Sequence, residues 1–475
     1  MKLNRKYILA AVLTSMIGTA TAQNLNSAYF TEDFTFRHDL NPAFGNENNY
    51  VSIPVLGNLG VKLQGNFGLD GVLFKNPNPG GKTTVTFMHP DITWDQVKGS
   101  LTDKNRLLFN ADITILSGGF KGFGGYNTVE INERTMLGVN VPMSLFEFAK
   151  NTGNKTYDIG DLAMRAMSYA ELAFGHSRQI DKDLRVGAKV KLLFGIGRAN
   201  IEFKDFKADL SNTTDAQGRQ QWTVSGDADA TFNMKGLKFK EETKEYKNRP
   251  GEYTYINDAD VDGAGISGFG LGLDLGATYN FDSWGYFEGL TVSAALTDLG
   301  FISWSNSVKA SNHQKSFMFN GFHDISFKKE RDPNTIERQK DDYMDQISDF
   351  ANLQNDGDAG GETTMLAATA RLGAEYVLPV YKPVSFGLLL QHRFDGDYSW
   401  TEGRVSANYR PLKWLDGGVN LGLNTFATSF GWVLNIHPRA FNFFIGMDHV
   451  MGKTTKEFVP LSSNASFNMG MNVTF

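Results

Sequence analysis

The chain is 475 residues long, carries a net charge of −6 and has no cysteine. Disulfide bracing, thiolate chemistry and Cys-zinc sites are therefore excluded, and an acidic chain of this kind is no candidate for nucleic acid. Charged residues make up 21% and mean hydropathy is −0.30, and past residue 22 no stretch reaches the ~18 uncharged apolar residues of a spanning helix.

Lys2, Arg5 and Lys6 precede a short apolar run at 7–17, and Ala20-Thr21-Ala22 has the form of a cleavage site. Residues 1–22 are thus expected to be a secretory signal peptide, with Gln23 the first mature residue. The run is too short for a membrane anchor. Removing its three positive charges takes the net charge from −6 to −9. An exported chain without disulfides must be braced by its own hydrogen bonds or by a membrane. A closed barrel offers both, because it leaves no unpaired strand edge.

Residues 23–49 follow as a separate segment. Phe30, Phe34, Phe36, Leu40 and Phe44 are apolar groups on a stretch too short to make a core. They need a surface to bury against, and a barrel interior offers one; a mobile arm outside the barrel is the alternative. Asn41-Pro42 reads as a turn, with proline fixing φ.

From residue 50 onward, alternation with period two dominates. At 186–195, Val186, Ala188, Val190, Leu192 and Phe194 oppose Gly187, Lys189 and Lys191. At 271–281, leucines 271, 273 and 275 with Ala277, Tyr279 and Phe281 oppose Gly272, Asp274, Gly276, Thr278 and Asn280. Similar patterns cover 419–424 and 441–448, and weaker ones cover 106–116, 133–142, 168–178, 288–300, 363–378, 383–394, 402–410 and 427–436. The pattern is most complete at 465–475, which ends on Phe475. One apolar and one polar face suit a wall between lipid and water, and the length matches the ~9–11 residues of a tilted spanning strand.

These runs give thirteen strands. One more is needed upstream for the chain to start on the inner side, and 51–67 supplies it if Gly57-Asn58 is a bulge or kink rather than a hairpin turn. With the last strand running inward, the connections at 437–440, 411–413, 379–382, 282–287, 179–183 and 129–132 fall on one side and are short. Those at 450–464, 301–362, 205–266, 143–167 and 68–105 fall on the other and are long, although the outer connections near 393–401 and 425–426 are short. Short inner turns and long outer loops are the mark of an outer-membrane barrel. The fold expected is all-β: one antiparallel transmembrane barrel at 50–475 with fourteen strands. Twelve or sixteen follow from one mistaken hairpin, with 197–235 the weak place. The outer loops are expected to hold short helices at 143–167, a solvated helix at 332–354, and a hairpin with strands near 221–234 and 236–246.

Catalytic signatures are missing: there is no G-x-S-x-G elbow and no H-E-x-x-H. His176 and Ser177 are adjacent on a strand and so point to opposite faces. Asp258, Asp260 and Asp262 match the first half of a calcium loop, but Phe269 stands where a bidentate glutamate is required. A solvated acidic turn is the plainer reading. The inward parity carries Asp112, Glu171, Lys189, Lys191, Asp274, Arg371, Glu375, Arg393, Arg404, Arg410 and Asp448. Such a ladder lines either a wet, charge-selective pore or, as favoured here, a self-neutralising network inside a plugged barrel.

The runs Ser27-Ala28-Tyr29-Phe30, Arg37-His38-Asp39-Leu40-Asn41-Pro42-Ala43-Phe44 and Tyr50-Val51-Ser52-Ile53-Pro54 carry a resemblance. An Asn-Pro-Ala box after a signal peptide and ahead of a barrel resembles the long-chain fatty-acid transporter (FadL-like) superfamily. The three runs together resemble an uncharacterised family of outer-membrane barrels common in Bacteroidetes. The resemblance implies fourteen strands and a luminal plug at 23–49, with Phe36, Arg37, Asn41, Pro42 and Ala43 at its centre. The charged residues of the wall would line the lumen, Glu171, Lys189, Lys191, Asp274, Arg371, Glu375 and Arg393 foremost. The terminal Phe475 resembles the signal read by the barrel assembly machinery. The function implied is passive uptake of a small hydrophobic molecule across the outer membrane of a Gram-negative bacterium. The alternative is a non-transporting scaffold or a secretion and surface-assembly partner. No enzyme activity, cofactor or nucleic-acid partner is expected.

Overall fold

A computed structural model describes residues 25–78, 84–214, 218, 220–247, 249–263, 265–322, 335–450 and 463–475. The expected signal peptide, 1–22, and Pro333, the expected start of the solvated helix, lie outside the described residues.

Fourteen antiparallel strands close into a ring. In chain order they are β1 in two pieces (Tyr50–Ser52 and Leu59–Gly65), β2 (Lys104–Gly122), β3 (Gly125–Pro142), β4 (Ala163–Gln179), β5 (Leu184–Thr214), β6 (Gly268–Asn280) and β7 (Leu290–Trp304). Then come β8 (Thr369–Val377), β9 (Val384–Arg393), β10 (Trp400–Leu412), β11 (Leu415–Asn424), β12 (Thr428–Ile436), β13 (Asn442–Met447) and β14 (Ala465–Thr474). Each strand pairs with its neighbours in sequence. Both pieces of β1 pair with β14, as in Val51↔Val473 and Leu59↔Met469, which shuts the ring. The break in β1 between Ser52 and Leu59 is the expected irregularity at Gly57-Asn58; Val55 turns there with φ 66°.

Alternation sets the two faces. On β6, Leu271 is 52% exposed on the outside while Asp274 is 1% exposed on the inside. Leu388, Leu390, Val405, Val419, Leu421 and Phe430 continue the outer apolar band around the ring. The side chains of one face meet lipid-like surroundings and those of the other fill the interior.

The connections at one rim, called the turn rim, where the C-terminus also lies, are all short. The long ones are all at the other, the loop rim, which also has the short connections at 394–399 and 425–427. The expected turn at 129–132 is mistaken. β2 and β3 join at Phe123-Gly124, where φ is 53° and 76°, as a tight two-residue hairpin requires. Gly118, Gly119 and Gly122 hide the alternation there, and Glu130 and Asn132 point into the barrel rather than into solvent.

The 205–266 region also departs from expectation. β5 is 31 residues long, about three times what a bilayer needs, and the strand Gln220–Met234 folds back along it (Ala230↔Ile201). The second strand, Leu237–Glu245, pairs instead with Glu252–Val261. Helices Met143–Lys150 and Ile336–Ala351 occupy two of the expected loop positions, the latter capped by Thr335.

Candidate functional site

Residues 25–49 run inside the ring. The wall carboxylate of Asp448 accepts hydrogen bonds from the backbone N–H groups of Asn26 (3.1 Å) and Ser27 (2.7 Å). These are free donors at the start of a one-turn helix, Asn26–Ala28, and a carboxylate satisfies them well. Tyr29 and Phe30 press into the wall where it carries no side chain. A Cβ on Gly373 would come 2.7 Å from the Tyr29 ring, and one on Gly387 2.3 Å from the Phe30 ring. Phe34 and Phe36 bury with Leu25, Tyr50, Val433 and Phe444, and Phe34 meets Phe444 edge-on at 4.7 Å between centroids.

The Asn-Pro-Ala box follows a short helix, Arg37–Leu40. Asn41 Oδ1 accepts from Ala43 N (2.9 Å), closing the turn, while Asn41 Nδ2 donates to the wall carbonyls of Ala294 (3.3 Å) and Ala277 (3.4 Å). Arg37 Nε donates to the Tyr29 carbonyl (2.8 Å), and its guanidinium lies 3.9 Å above the Phe44 ring and 3.6 Å from Glu375. Phe36, Arg37, Asn41, Pro42 and Ala43 all sit on the contact between this segment and the barrel.

Buried charges fill the lumen in two tiers, the first of which holds the segment. In the first, Lys189 Nζ pairs with Asp39 of the segment and with Glu130 Oε2 (2.7 Å). His38 Nε2 contacts Tyr50 Oη at 2.9 Å, and Tyr50 Oη contacts Ser117 Oγ at 2.6 Å. Burial raises the Asp39 carboxyl, but Lys189 and His38 outweigh it and hold that group well below the usual carboxylate range. In the second tier, Lys191 Nζ reaches Asp298 Oδ1 (2.6 Å) and Asp274 Oδ2 (2.8 Å), while Arg134 Nε pairs with Glu171 Oε2 (3.1 Å). Arg371 Nη1 donates to Thr297 Oγ1 (2.9 Å), and Arg393 stands 3.8 Å from Asp395. A cavity of about 30 Å³ lies between Arg134, Asp298, Arg371 and Arg393. Trp304, Tyr169, Leu193, Ile302 and Leu366 form a buried apolar layer next to it.

Glu130, Arg134, Asp298 and the plug's own His38 and Asp39 were not singled out by the sequence. Glu130 fell inside the mistaken turn. Asp298 falls on the outward parity, but a bulge opposite Leu273–Leu275, with φ 61° at Asp298, turns it inward. Its N–H then donates to Asp274 Oδ1 (2.6 Å).

The calcium pattern does not form a loop. Asp258 and Asp260 lie on an extended strand that cannot wrap an ion, and Lys240 pairs with Asp260 while Lys238 takes Asp262 Oδ2 (2.8 Å). His176 and Ser177 do not meet: His176 Nδ1 contacts Asn127 Oδ1 (2.9 Å) and Ser177 Oγ accepts from Arg185 (2.9 Å).

At the turn rim, Arg410 pairs with Asp33 and with Glu32 Oε2 (3.1 Å). Burial lifts the Asp33 carboxyl to about 6 against the pull of Arg410. Burial and then Arg410 push the His437 imidazole down to about 4, so it is neutral. A cavity of about 380 Å³ opens beside them between plug and wall, bounded by the apolar Phe30, Val377, Pro383 and Tyr409, by Gly417, and by the charged Glu32, Glu375, Lys382, Arg410 and Asp416. On the outer face of the same strands an apolar groove of about 480 Å³ runs between Leu415, Val419, Trp432 and Leu434. Both spaces touch Tyr409, Asp416 and Gly417, so one layer of backbone separates them.

Among solved structures, the chain is similar to the Ralstonia pickettii toluene transporter TbuX (10% identity, 96% of this chain and 95% of that one, TM-score 0.42). It is also similar to the Pseudomonas putida toluene transporter TodX (9%, 96% and 94%, TM-score 0.37) and to the translocator domain of the autotransporter NalP from Neisseria meningitidis (8%, 99% and 99%, TM-score 0.34). At this level of likeness no substrate or partner transfers, and the fold rests on the closed ring itself. Comparison with curated proteins gives no match. Residues 42–448, most of the chain, match one family model, and the protein belongs to that family, the Family of unknown function (DUF5723).

Proposed function

We propose that the protein is an outer-membrane barrel, its turn rim in the periplasm, that passes a small apolar molecule from the plug-side cavity into the surrounding lipid. The pair of spaces on either side of Gly417 carries this reading. The inner one, about 380 Å³, is of ligand size, and the outer one is lined by apolar side chains facing the membrane. The wall is irregular there, since the β10–β11 ladder loses register between Tyr409 and Leu412. The charge tiers shut the lumen above, so a solute reaches the cavity only when the plug shifts.

The test is uptake of N-phenyl-1-naphthylamine by lipid vesicles holding the purified protein, together with single-channel conductance, each with and without residues 25–49. Uptake that exceeds empty vesicles, and rises when the plug is removed, supports transport. If neither form takes up the probe or conducts, the reading fails.

A scaffold is the second reading, and two observations favour it: the filled lumen, and the exposure of Tyr286 (100%), Val380 (91%) and Phe123 (84%) on the turn rim. Exposed apolar groups of this kind suit a periplasmic partner.

A further inference from the structure

One cluster at the turn rim borders the cavity but is not explained by the transport reading. Asp33 comes from the plug, Asp416 from the start of β11, and His437 from the turn after β12. His437 Nε2 stands 3.6 Å from Asp33 Oδ2 and 3.6 Å from Asp416 Oδ1. One ligand atom from each of the three lies within 4.8 Å of the others.

The His437 and Asp416 side chains are 8% and 6% exposed, yet His437 Nε2 and both Asp416 oxygens make no hydrogen bond. Asn435 and the backbone of Asp33 border Asp416 without aligning one. Buried acceptors left this way are rare and call for a partner. A cavity of about 20 Å³ touches both Asp33 and His437, room for one small body.

The spacing fits a metal ion. Zinc holds nitrogen and oxygen ligands at about 2.0–2.2 Å, so neighbouring ligands on a tetrahedron lie about 3.3–3.6 Å apart. Charge agrees: Asp33, Asp416 and Glu32 face one guanidinium, Arg410, which leaves a net −2 for a divalent cation to cancel. Arg410 keeps Glu32 when Asp33 turns to the ion. A neutral imidazole among the ligands points to zinc-like ions rather than calcium or magnesium. The other close trio, His38, Asp39 and Glu130, is already bridged by Lys189.

We propose that Asp33, Asp416 and His437 bind one divalent transition-metal ion of the zinc class, which staples the plug to the barrel wall at the turn rim. A water molecule completes the coordination.

Zinc chloride titrated into the purified full chain in detergent micelles, followed by calorimetry, tests this. The wild type is expected to bind one ion per chain at micromolar concentration or tighter. His437→Ala and Asp416→Asn should each weaken binding at least tenfold. His437→Gln, nearly the same shape, serves if the alanine variant does not fold, as judged by the heat-dependent gel mobility of barrels. A triple Asp258→Asn, Asp260→Asn, Asp262→Asn variant should bind as the wild type does. No saturable wild-type binding overturns the proposal. Undiminished binding in the His437 and Asp416 variants overturns it as well, as does loss confined to the triple variant.

Discussion

Gly187 and Gly276 face each other across β5 and β6, and the Asn-Pro-Ala box rests on the bare patch they leave. A Cβ on Gly187 would come 2.1 Å from the Pro42 carbonyl oxygen, and one on Gly276 2.0 Å from Asn41 Oδ1. The first obstacle is backbone, and the second is a side-chain oxygen pinned by Ala43 N with Pro42 and the Ala43 backbone just behind it, so the box itself must move. Gly276→Val is therefore expected to destabilise by about 1–3 kcal/mol, the usual cost of overpacking, and to raise single-channel conductance as the plug loosens. Urea unfolding and planar-bilayer recordings check the two effects separately.

Lys189 is the shared partner of Asp39 and Glu130. Lys189→Met leaves two buried carboxylates facing each other and is expected to cost about 3–5 kcal/mol. Adding Asp39→Asn and Glu130→Gln removes the uncompensated charge and should recover most of that loss. Urea unfolding of Lys189→Met, of Asp39→Asn with Glu130→Gln, and of all three changes together measures it; a fully additive result contradicts the shared pairing.

The acid response follows from Asp39. Its carboxyl titrates below its unfolded value of about 3.9, held there by Lys189 and His38. A depressed carboxylate stabilises the folded state above its unfolded pKa, and that stability is lost only as pH falls through the folded value. Conductance recorded from pH 7.5 down to 4.5 should therefore show no plug release through this group, with release confined to lower pH.

Ala407 and Val419 are cross-strand partners on the lipid side of the groove. Such pairs lie within about 4.5–5.5 Å, a separation a disulfide spans, and the chain has no cysteine of its own to interfere. In an Ala407→Cys, Val419→Cys variant, oxidation should lower vesicle uptake of an apolar probe at least tenfold. Dithiothreitol should restore it. Equal uptake in both states rules out an exit between β10 and β11.

Phe475 contacts the ring through its backbone, exchanging hydrogen bonds with Asn49 (3.0 and 3.1 Å), while its side chain is 69% exposed. Phe475→Ala should leave the unfolding midpoint of refolded protein within about 0.5 kcal/mol of the wild type, as exposed sites do. The amount of folded barrel recovered from membranes should nevertheless fall severalfold, which gel mobility before and after heating reports.

Where a strand alternates without interruption, sequence and structure agree. β14 and β6 could be read residue by residue, and with them Lys189, Lys191 and Asp274, because period two leaves a side chain only two places to go. Misreadings cluster where that period is broken by geometry. The Phe123-Gly124 turn was hidden by a run of glycines, and Asp298 by a single bulge. The partnership of β5 with 220–234 was hidden because hairpin choice depends on turns as well as on pattern. In the rim trio, Asp33 lies hundreds of residues upstream of Asp416 and His437, which flank one hairpin, and no local spacing announces it. The Asn-Pro-Ala box was legible as a motif, but its seat became visible only with the paired glycines beneath it.

Asn49, where the inner segment becomes wall, and Phe475, just past the end of β14, are zipped to one another. The cylinder therefore cannot be sealed until β14 meets β1. By then its first folded stretch has to be housed already, since a finished ring offers that stretch no way in past its own charged tiers. Biogenesis is thus a race between wrapping and sealing. A chain trimmed by even one C-terminal strand would present an open edge and an unhoused aromatic segment together, two targets for the same periplasmic proteases.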